Sequence, residues 1–321
     1  MNNILSAHSG VAGWYKLEAF RVDADGIEVP GSRRVAADWF PNLITNAGLD
    51  LLGNTGLTFV SAYCRVGSGN TAPAVTDTAL VSPVASSNTS QGSAVTGVDR
   101  SGAFFAFRRN TIRFVAGTAT GTLAEVGMSS SAAGALFSRA LILDGGGSPT
   151  TITVLSDEVL DVTYELRLYP NLADTTGTVV IAGVTYSWTA RALIPSSYDN
   201  NWALNVGRGV EPRTTPGLLS EGPVVMPTLP AQTSSPSSVV ASGSIAVIPY
   251  VTGSYQKSFR FDVDLNDGNV AGGIGAFFAA SSTSPGQMFG AWAWGLSPKL
   301  PKTSSFKATF TVRMSWGRYT P

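Results

Sequence analysis

Apolar and polar side chains alternate along most of this chain with a period of two residues. The alternation is clearest over residues 105–115 and 161–168, and glycine-containing turn sequences at residues 144–148 and 266–269 follow such segments. Successive side chains of a strand point to opposite faces, so this pattern is typical of half-buried antiparallel sheets. It predicts an all-β fold of antiparallel β-sandwiches.

The N-terminal part predicts a β-hairpin followed by one short helix. Two alternating segments within residues 12–40 flank a turn sequence at residues 23–26. The helix would begin at the N-cap candidates 45–46 and end at Gly53, after two to three turns at most.

Several short motifs of the first half return in the same order in the second half. The corresponding pairs are Gly67 with Gly207, Phe114 with Phe261, and Phe137 with Phe289. This order predicts two tandem copies of one β-sandwich, with chance similarity between alternating strands as the alternative. The predicted organisation is an N-terminal hairpin and helix over residues 1–53, a first sandwich over 54–170 and a second over 171–321.

The composition of the chain argues against a nucleic-acid partner. Only 13% of the 321 residues are charged, Lys and Arg together number 21, and Asp and Glu also number 21. No basic run exceeds a pair such as Arg33 and Arg34, so a nucleic-acid partner is not expected. Residues 1–11 lack the basic start and apolar segment of a secretory signal, and we expect synthesis and assembly in a cytoplasm.

Common catalytic and metal-binding designs lack their residues in this sequence. The single histidine, His8, is expected in a mobile terminus, and the single cysteine, Cys64, is expected as a small buried side chain. Nucleophilic triads therefore have no base, and zinc sites have no ligand set. We expect no catalytic residue, no cofactor and no metal ion, and predict that the protein is not an enzyme.

Two groups of carboxylates offer alternatives to that prediction. Glycan hydrolysis needs only two acids, which the cluster of Asp157, Glu158, Asp161 and Glu165 could supply, although Glu165 is expected to pair with Arg167 on one strand face.

The second group resembles a calcium loop. Asp262 and Asp264 stand at alternate positions, but Gly268 falls one place too late for an EF-hand and no Glu closes the loop. We expect these two side chains to face outward on a strand.

The segment over residues 270–297 contains no charged residue. Its two halves predict strands buried on both faces, or on one face and a subunit interface. Each half is shorter than the roughly 20 apolar residues of a membrane-spanning helix. Insertion of this segment into a host membrane, as the tip of the protein, is therefore the less favoured alternative.

A proline-rich arm over residues 211–238 contains six prolines, a density that excludes a regular central strand. It predicts a long loop or an arm that reaches a neighbour, with a free linker as the alternative. The candidate interface residues from the arm and the uncharged segment, each with burial inside the protomer as its alternative, are Phe277, Phe278, Trp292, Trp294, Pro223, Pro227 and Pro230.

A further set of motifs lies in the first half, in a fixed order. The sequences NLITNAGLD, VGSGNTAP and TDTAL occupy residues 42–50, 66–73 and 76–80. The segments 123–128, 136–142 and 150–155 complete the pattern. Over about residues 14–169 the chain resembles virion proteins of tailed bacteriophages, a family described as tail, fibre or other structural proteins.

The resemblance implies a structural component of the virion, in a tail, tail tip, collar or fibre-attachment assembly, after assembly in the host cytoplasm. Its partners would be other virion proteins and copies of itself. The alternatives are a capsid decoration or head-fibre protein, and a receptor-binding tail fibre protein that stacks Tyr186, Trp188, Tyr198 or Trp202 on a host surface glycan.

Overall fold

The computed structural model describes residues 4–54, 59–204, 206–208, 210, 224–236, 243–280 and 290–320. In these residues the fold is all-β, with several sandwich-like sheets and two short α-helices. The helices are α1 (Asn46–Asn54) and α2 (Asp199–Ala203). The strands are β1 (Ile4–Arg21), β2 (Arg34–Pro41), β3 (Leu43–Ile44), β4 (Tyr63–Gly67), β5 (Pro83–Ser87), β6 (Thr89–Ser90), β7 (Val95–Asp99), β8 (Phe105–Phe114), β9 (Gly121–Leu123), β10 (Glu125–Ser129), β11 (Leu136–Leu141), β12 (Ile152–Val154), β13 (Glu158–Pro170), β14 (Thr175–Ile181), β15 (Val184–Ala192), β16 (Val224–Met226), β17 (Gly243–Val247), β18 (Gln256–Val263), β19 (Ile274–Ala280), β20 (Ala291–Leu300) and β21 (Ala308–Arg318).

One nine-stranded sheet extends through both halves of the chain. Its strand order is β17-β18-β21-β1-β13-β8-β6, with β2 paired to β1 and β7 paired to β8. Two five-stranded sheets have the orders β3-β11-β10-β4-β5 and β14-β15-β20-β19-β16, and β9 pairs with β12. The Tyr15 hydroxyl of β1 lies 2.9 Å from the Ser138 hydroxyl of β11, and Phe277 of β19 stacks on Phe310 of β21. Each five-stranded sheet therefore packs on the nine-stranded sheet.

Strand β1 lies at the centre of the large sheet. It pairs antiparallel with β13 from Ser9 to Arg21, parallel with β21 from Ile4 to Val11, and antiparallel with β2. The β1–β2 pairing is the N-terminal hairpin that alternation predicts. Its first strand is shared, because it pairs with strands from both predicted sandwiches.

The strand pairings in the two halves follow a common pattern. β8 pairs antiparallel with β13 as β18 pairs with β21, and β10 pairs with β11 as β19 pairs with β20. Phe114 and Phe261 stand on corresponding strands, whereas Gly67 ends a strand and Gly207 lies in a turn with φ near 80°. The third motif pair includes Phe289, which lies outside the described residues. Duplication stays a prediction that this strand order favours.

Helix α1 lies directly against β11. The Thr45 hydroxyl accepts a hydrogen bond from the Gly48 amide at 2.8 Å and donates one to the Leu136 carbonyl at 2.5 Å, so Thr45 caps the helix as predicted. A β-carbon at Gly48 would lie 2.0 Å from the Phe137 carbonyl oxygen. Only glycine allows the helix to approach the strand this closely.

The uncharged segment supplies two paired strands, β19 and β20. Residues Ala291–Leu296 of β20 are buried without alternation, which is typical of a strand covered on both faces. No helix among the described residues has the length and apolar character needed to cross a membrane.

We expect Gly48→Ala to lower the free energy of unfolding by about 1–3 kcal/mol, although alanine favours helices, because the methyl group would force α1 away from β11. Gly145→Ala is the control, since a β-carbon there meets no atom within 4 Å. Denaturant unfolding measures both variants. Equal midpoints would contradict the close contact between α1 and β11.

Candidate functional site

Three of the predicted interface aromatics belong to the core. Phe277 and Trp294 are 0% exposed and Trp292 is 1% exposed. Phe277 stacks between Trp294 and Phe310, with ring centroids 5.4 and 4.3 Å apart. These side chains pack between two sheets, so the folded chain cannot offer them to a partner. Phe278 is partly buried and stacks on Tyr198.

The described part of the proline-rich arm folds back on its own protein. Its strand β16 pairs with β19, the Pro230 carbonyl accepts a hydrogen bond from Arg191 Nη1 at 2.7 Å, and the Gln232 carbonyl accepts one from the Ile194 amide at 2.9 Å. Over residues 224–236 the arm is therefore not a free linker, and its contact with a neighbour stays a prediction. Pro227 is exposed, Pro230 is half-buried, and Pro223 lies outside the described residues.

The side chains predicted to stack on a glycan are also mostly internal. Tyr186 is 4% exposed, Trp188 7% and Trp202 0%, and Trp202 Nε1 donates a hydrogen bond to the Leu193 carbonyl at 2.9 Å. Alternation in β15 turns Tyr186 and Trp188 inward, and α2 buries Trp202 beneath it. A glycan could not reach these rings in the folded protein.

The outer face of the nine-stranded sheet carries a ladder of paired charges along β13. Arg113 Nε lies 2.7 Å from Asp161 Oδ1, Arg109 Nε lies 2.8 Å from Glu165 Oε2, and Arg167 Nε lies 2.6 Å from Glu165 Oε1. The predicted Glu165–Arg167 pair is thus confirmed. Asp161 and Glu165 are 4% and 2% exposed because the arginine side chains lie across them.

Aromatic rings flank these arginines and complete the ladder. The Arg167 guanidinium lies 4.0 Å from the Trp14 ring centroid and 4.4 Å from that of Phe105. Arg109 lies 5.2 Å from the ring of Trp39, which is 40% exposed. Each guanidinium is therefore held by a carboxylate and by a ring, a combination that arginine but not lysine supports well. We call this surface the arginine–aromatic ladder.

The geometry does not favour acid–base chemistry at the carboxylate cluster. Asp161 and Glu165 accept hydrogen bonds from arginines on neighbouring strands, and Asp157 pairs with Arg21. Burial opposes ionisation of Glu158, but the Leu155 amide and Arg34 outweigh it and lower its pKa. A general acid for glycan hydrolysis needs a raised pKa instead.

The two aspartates of the calcium alternative each have a cationic side chain as partner. Asp262 Oδ2 lies 3.0 Å from Arg260 Nε, and Asp264 Oδ1 lies 3.0 Å from Lys307 Nζ. A hydrogen bond from the Leu265 amide and the charge of Lys307 lower the pKa of Asp264. The described residues contain no group of three or more His, Cys, Asp or Glu side chains placed to hold a metal ion.

The single histidine and the single cysteine both lie in strands. His8 is in β1, where its Nδ1 lies 2.9 Å from the Ser315 hydroxyl. The prediction that His8 lies in a mobile terminus is therefore wrong. Partial burial lowers the pKa of its imidazole. Cys64 is buried as expected, and burial raises the pKa of its thiol.

A buried network joins the motifs at residues 66–73, 76–80, 123–128 and 136–142. Glu125, fully buried in β10, accepts hydrogen bonds from the Val81 amide at 3.1 Å and the Ser82 amide at 2.8 Å, and from Arg139 Nε at 2.9 Å. Arg139 Nη1 also donates to Asp77 at 2.7 Å.

This network fastens the long loop between β4 and β5 to the sheet. Arg139 Nη2 donates a hydrogen bond to the Thr71 carbonyl at 2.8 Å, and Glu125 also accepts one from the Gly69 amide. Burial by itself disfavours the charged form of Asp77, yet the Ala74 amide and Arg139 lower its pKa. Sequence reasoning took this glycine-rich segment for a plain turn; the missed signal is a Glu and an Arg inside two otherwise buried strands.

An open cleft of about 410 Å³ lies at the end of the ladder. Its walls are Trp14 of β1, Phe105 of β8, and the stacked rings of Tyr169 and Tyr319, whose centroids are 3.7 Å apart at an interplanar angle of 5°. Asp99 lies with them in the lining. Sequence reasoning did not bring these residues together, because they come from four distant segments.

Comparison with known proteins finds no matching family model, no matching curated protein and no matching solved structure.

We expect Glu125→Gln to lower the free energy of unfolding by about 3 kcal/mol, because it leaves the buried Arg139 guanidinium with one carboxylate instead of two and puts an amide NH₂ among donors. The measurement is urea unfolding followed by circular dichroism. Glu28→Gln serves as the control, since Glu28 pairs with Arg33 at the surface and its loss should leave the midpoint unchanged. A Glu125→Gln midpoint equal to that of Glu28→Gln would contradict this role for the network.

Proposed function

We propose that this protein is a structural component of a tailed-bacteriophage virion, in a tail, tail tip, collar or fibre-attachment assembly, and that it acts by protein–protein assembly. The observation that carries the proposal is the buried network of Glu125, Arg139 and Asp77. Its members come from the separate motifs on which the resemblance to virion proteins depends, so that order and spacing have a common structural cause in this fold.

The arginine–aromatic ladder is the surface that we assign to assembly. Arginine and tryptophan are enriched among the residues that dominate binding energy at interfaces, and here both are fixed before a partner arrives. Asp161 pairs with Arg113, and Glu165 is shared by Arg109 and Arg167, so most of the arginine charge is balanced within the ladder. A partner would therefore gain contact with rings and guanidinium faces with little need to supply a matching charge. The face suits repeated contacts with other virion proteins or with copies of this chain.

Two other structural roles use the same properties. A capsid decoration or head-fibre protein would present a similar rigid surface to the shell. A receptor-binding tail fibre protein would need a ligand site, and the aromatic cleft beside the ladder favours this role over decoration. The virion, assembled in the host cytoplasm, remains the proposed location in each case.

Electron cryo-microscopy of purified particles with and without this chain tests the location. Density lost at the tail or neck is the expected result, since the proposal places the chain there. Density lost over the shell would replace the tail assignment with decoration, and identical particles would contradict a virion role.

We expect Trp39→Ala to reduce incorporation into particles by about tenfold, as the loss of one interface hot spot would, without changing the unfolding midpoint of the isolated protein. Phe306→Ala is the matched control, because Phe306 is 41% exposed and Trp39 is 40% exposed, and Phe306 lies beside Lys302 in the turn before β21 rather than among the ladder residues. Quantitative blotting of purified particles measures incorporation. Equal incorporation of the two variants would remove the ladder from the interface.

A further inference from the structure

We infer that the cleft lined by Trp14, Phe105, Tyr169 and Tyr319 binds a neutral saccharide. This inference goes beyond the proposed assembly function, since a purely structural component needs no ligand site. The cleft volume of about 410 Å³ falls within the range of small-ligand sites, which combine apolar walls with a few polar groups.

The walls offer flat apolar surfaces of the kind that the C–H faces of a sugar ring pack against. Trp14, Phe105 and Tyr319 are each half-buried, so part of each side chain stays accessible. Small residues, Gly13 and Ala103 among them, line the space between the rings and leave room for a ligand. Aromatic side chains with one apolar body and one polar end are suited to a ligand that is apolar on its ring faces and polar at its rim.

The rings are held in place without a ligand. Arg167 lies between Trp14 and Phe105, at 4.0 and 4.4 Å from their ring centroids. Tyr319 stacks on Tyr169, and its amide donates a hydrogen bond to the Val11 carbonyl at 2.9 Å. Binding would therefore require little further ordering of these side chains, and its cost in conformational entropy would be small.

The polar part of the lining defines the chemistry of the ligand. Asp99 Oδ1 accepts hydrogen bonds from the amide and hydroxyl of Ser101, at 2.8 and 2.6 Å, and these bonds lower the pKa of Asp99. No described residue donates to Asp99 Oδ2. An ionised carboxylate accepts hydrogen bonds from hydroxyl groups, which saccharides supply.

Charge distinguishes a neutral sugar from an acidic one. Asp99 is the charged residue among the described residues of the lining, whereas Arg167, whose charge also acts on Asp99, is not part of the lining and shares Glu165 with Arg109. The charge of Asp99 would therefore act against a carboxylate or sulfate on the ligand. A pyranose with free hydroxyl groups satisfies both the rings and the carboxylate.

The test measures binding of short neutral oligosaccharides of glucose, galactose and N-acetylglucosamine to the full chain. Saturation-transfer NMR and tryptophan fluorescence detect the binding. We expect weak binding of at least one of them by the wild-type protein. Asp99→Asn and Tyr319→Ala should each weaken it by about tenfold, Tyr319→Phe should retain it, and Phe306→Ala should leave it unchanged. Because Asp99 is near the surface, its variant stays informative if Tyr319→Ala fails to fold.

Binding of none of these sugars by the wild-type protein would overturn the inference. So would binding that persists in both Asp99→Asn and Tyr319→Ala, because the ligand would then lie elsewhere. Glucuronate oligomers bound as tightly as glucose oligomers would overturn the assignment of a neutral ligand. None of these outcomes bears on incorporation into particles, so a failure here is distinguishable from a failure of the assembly proposal.

Discussion

The pairing of strand β1 with β13 and β21 joins the two halves of this fold. Its backbone joins β13 over residues 9–21 and β21 over residues 4–11, so both halves of the chain complete one nine-stranded sheet. The parallel contact with β21 brings residues near the two ends of the described chain together. One face of that sheet then supports both five-stranded sheets, and the other carries the ladder and the cleft.

Arginine side chains have two different structural roles in this fold. Inside, Arg139 is fully buried, and it is stable there because two carboxylates and the Thr71 carbonyl replace its water. On the outer face, Arg109, Arg113 and Arg167 stay partly in water and cover the carboxylates of β13. The interior network fixes a loop, whereas the outer ladder turns a charged strand face into a rigid and nearly neutral surface.

The proposed assembly surface and the proposed sugar cleft meet at Arg167. This side chain stacks on Trp14 and Phe105, which line the cleft, and shares Glu165 with Arg109 of the ladder. A partner seated on the ladder and a saccharide in the cleft would therefore contact the same rigid unit. Such an arrangement suits a receptor-binding part of a particle, in which the surface that attaches the protein lies beside the surface that recognises the host.

The all-β class, the N-terminal hairpin, the Thr45 cap, the Glu165–Arg167 pair and the buried strands of the uncharged segment could all be predicted from the sequence. Each of these follows from neighbours in sequence or from the period of side chains along a strand. The packing of distant strands was needed to show that Phe277, Trp292 and Trp294 are core residues, that the arm covers its own sheet, and that Trp14, Phe105, Tyr169 and Tyr319 form a cleft. The physical reason is that alternation says which side chains share a face of one strand, but burial of that face depends on which distant strands pair beside it and which sheet packs over it.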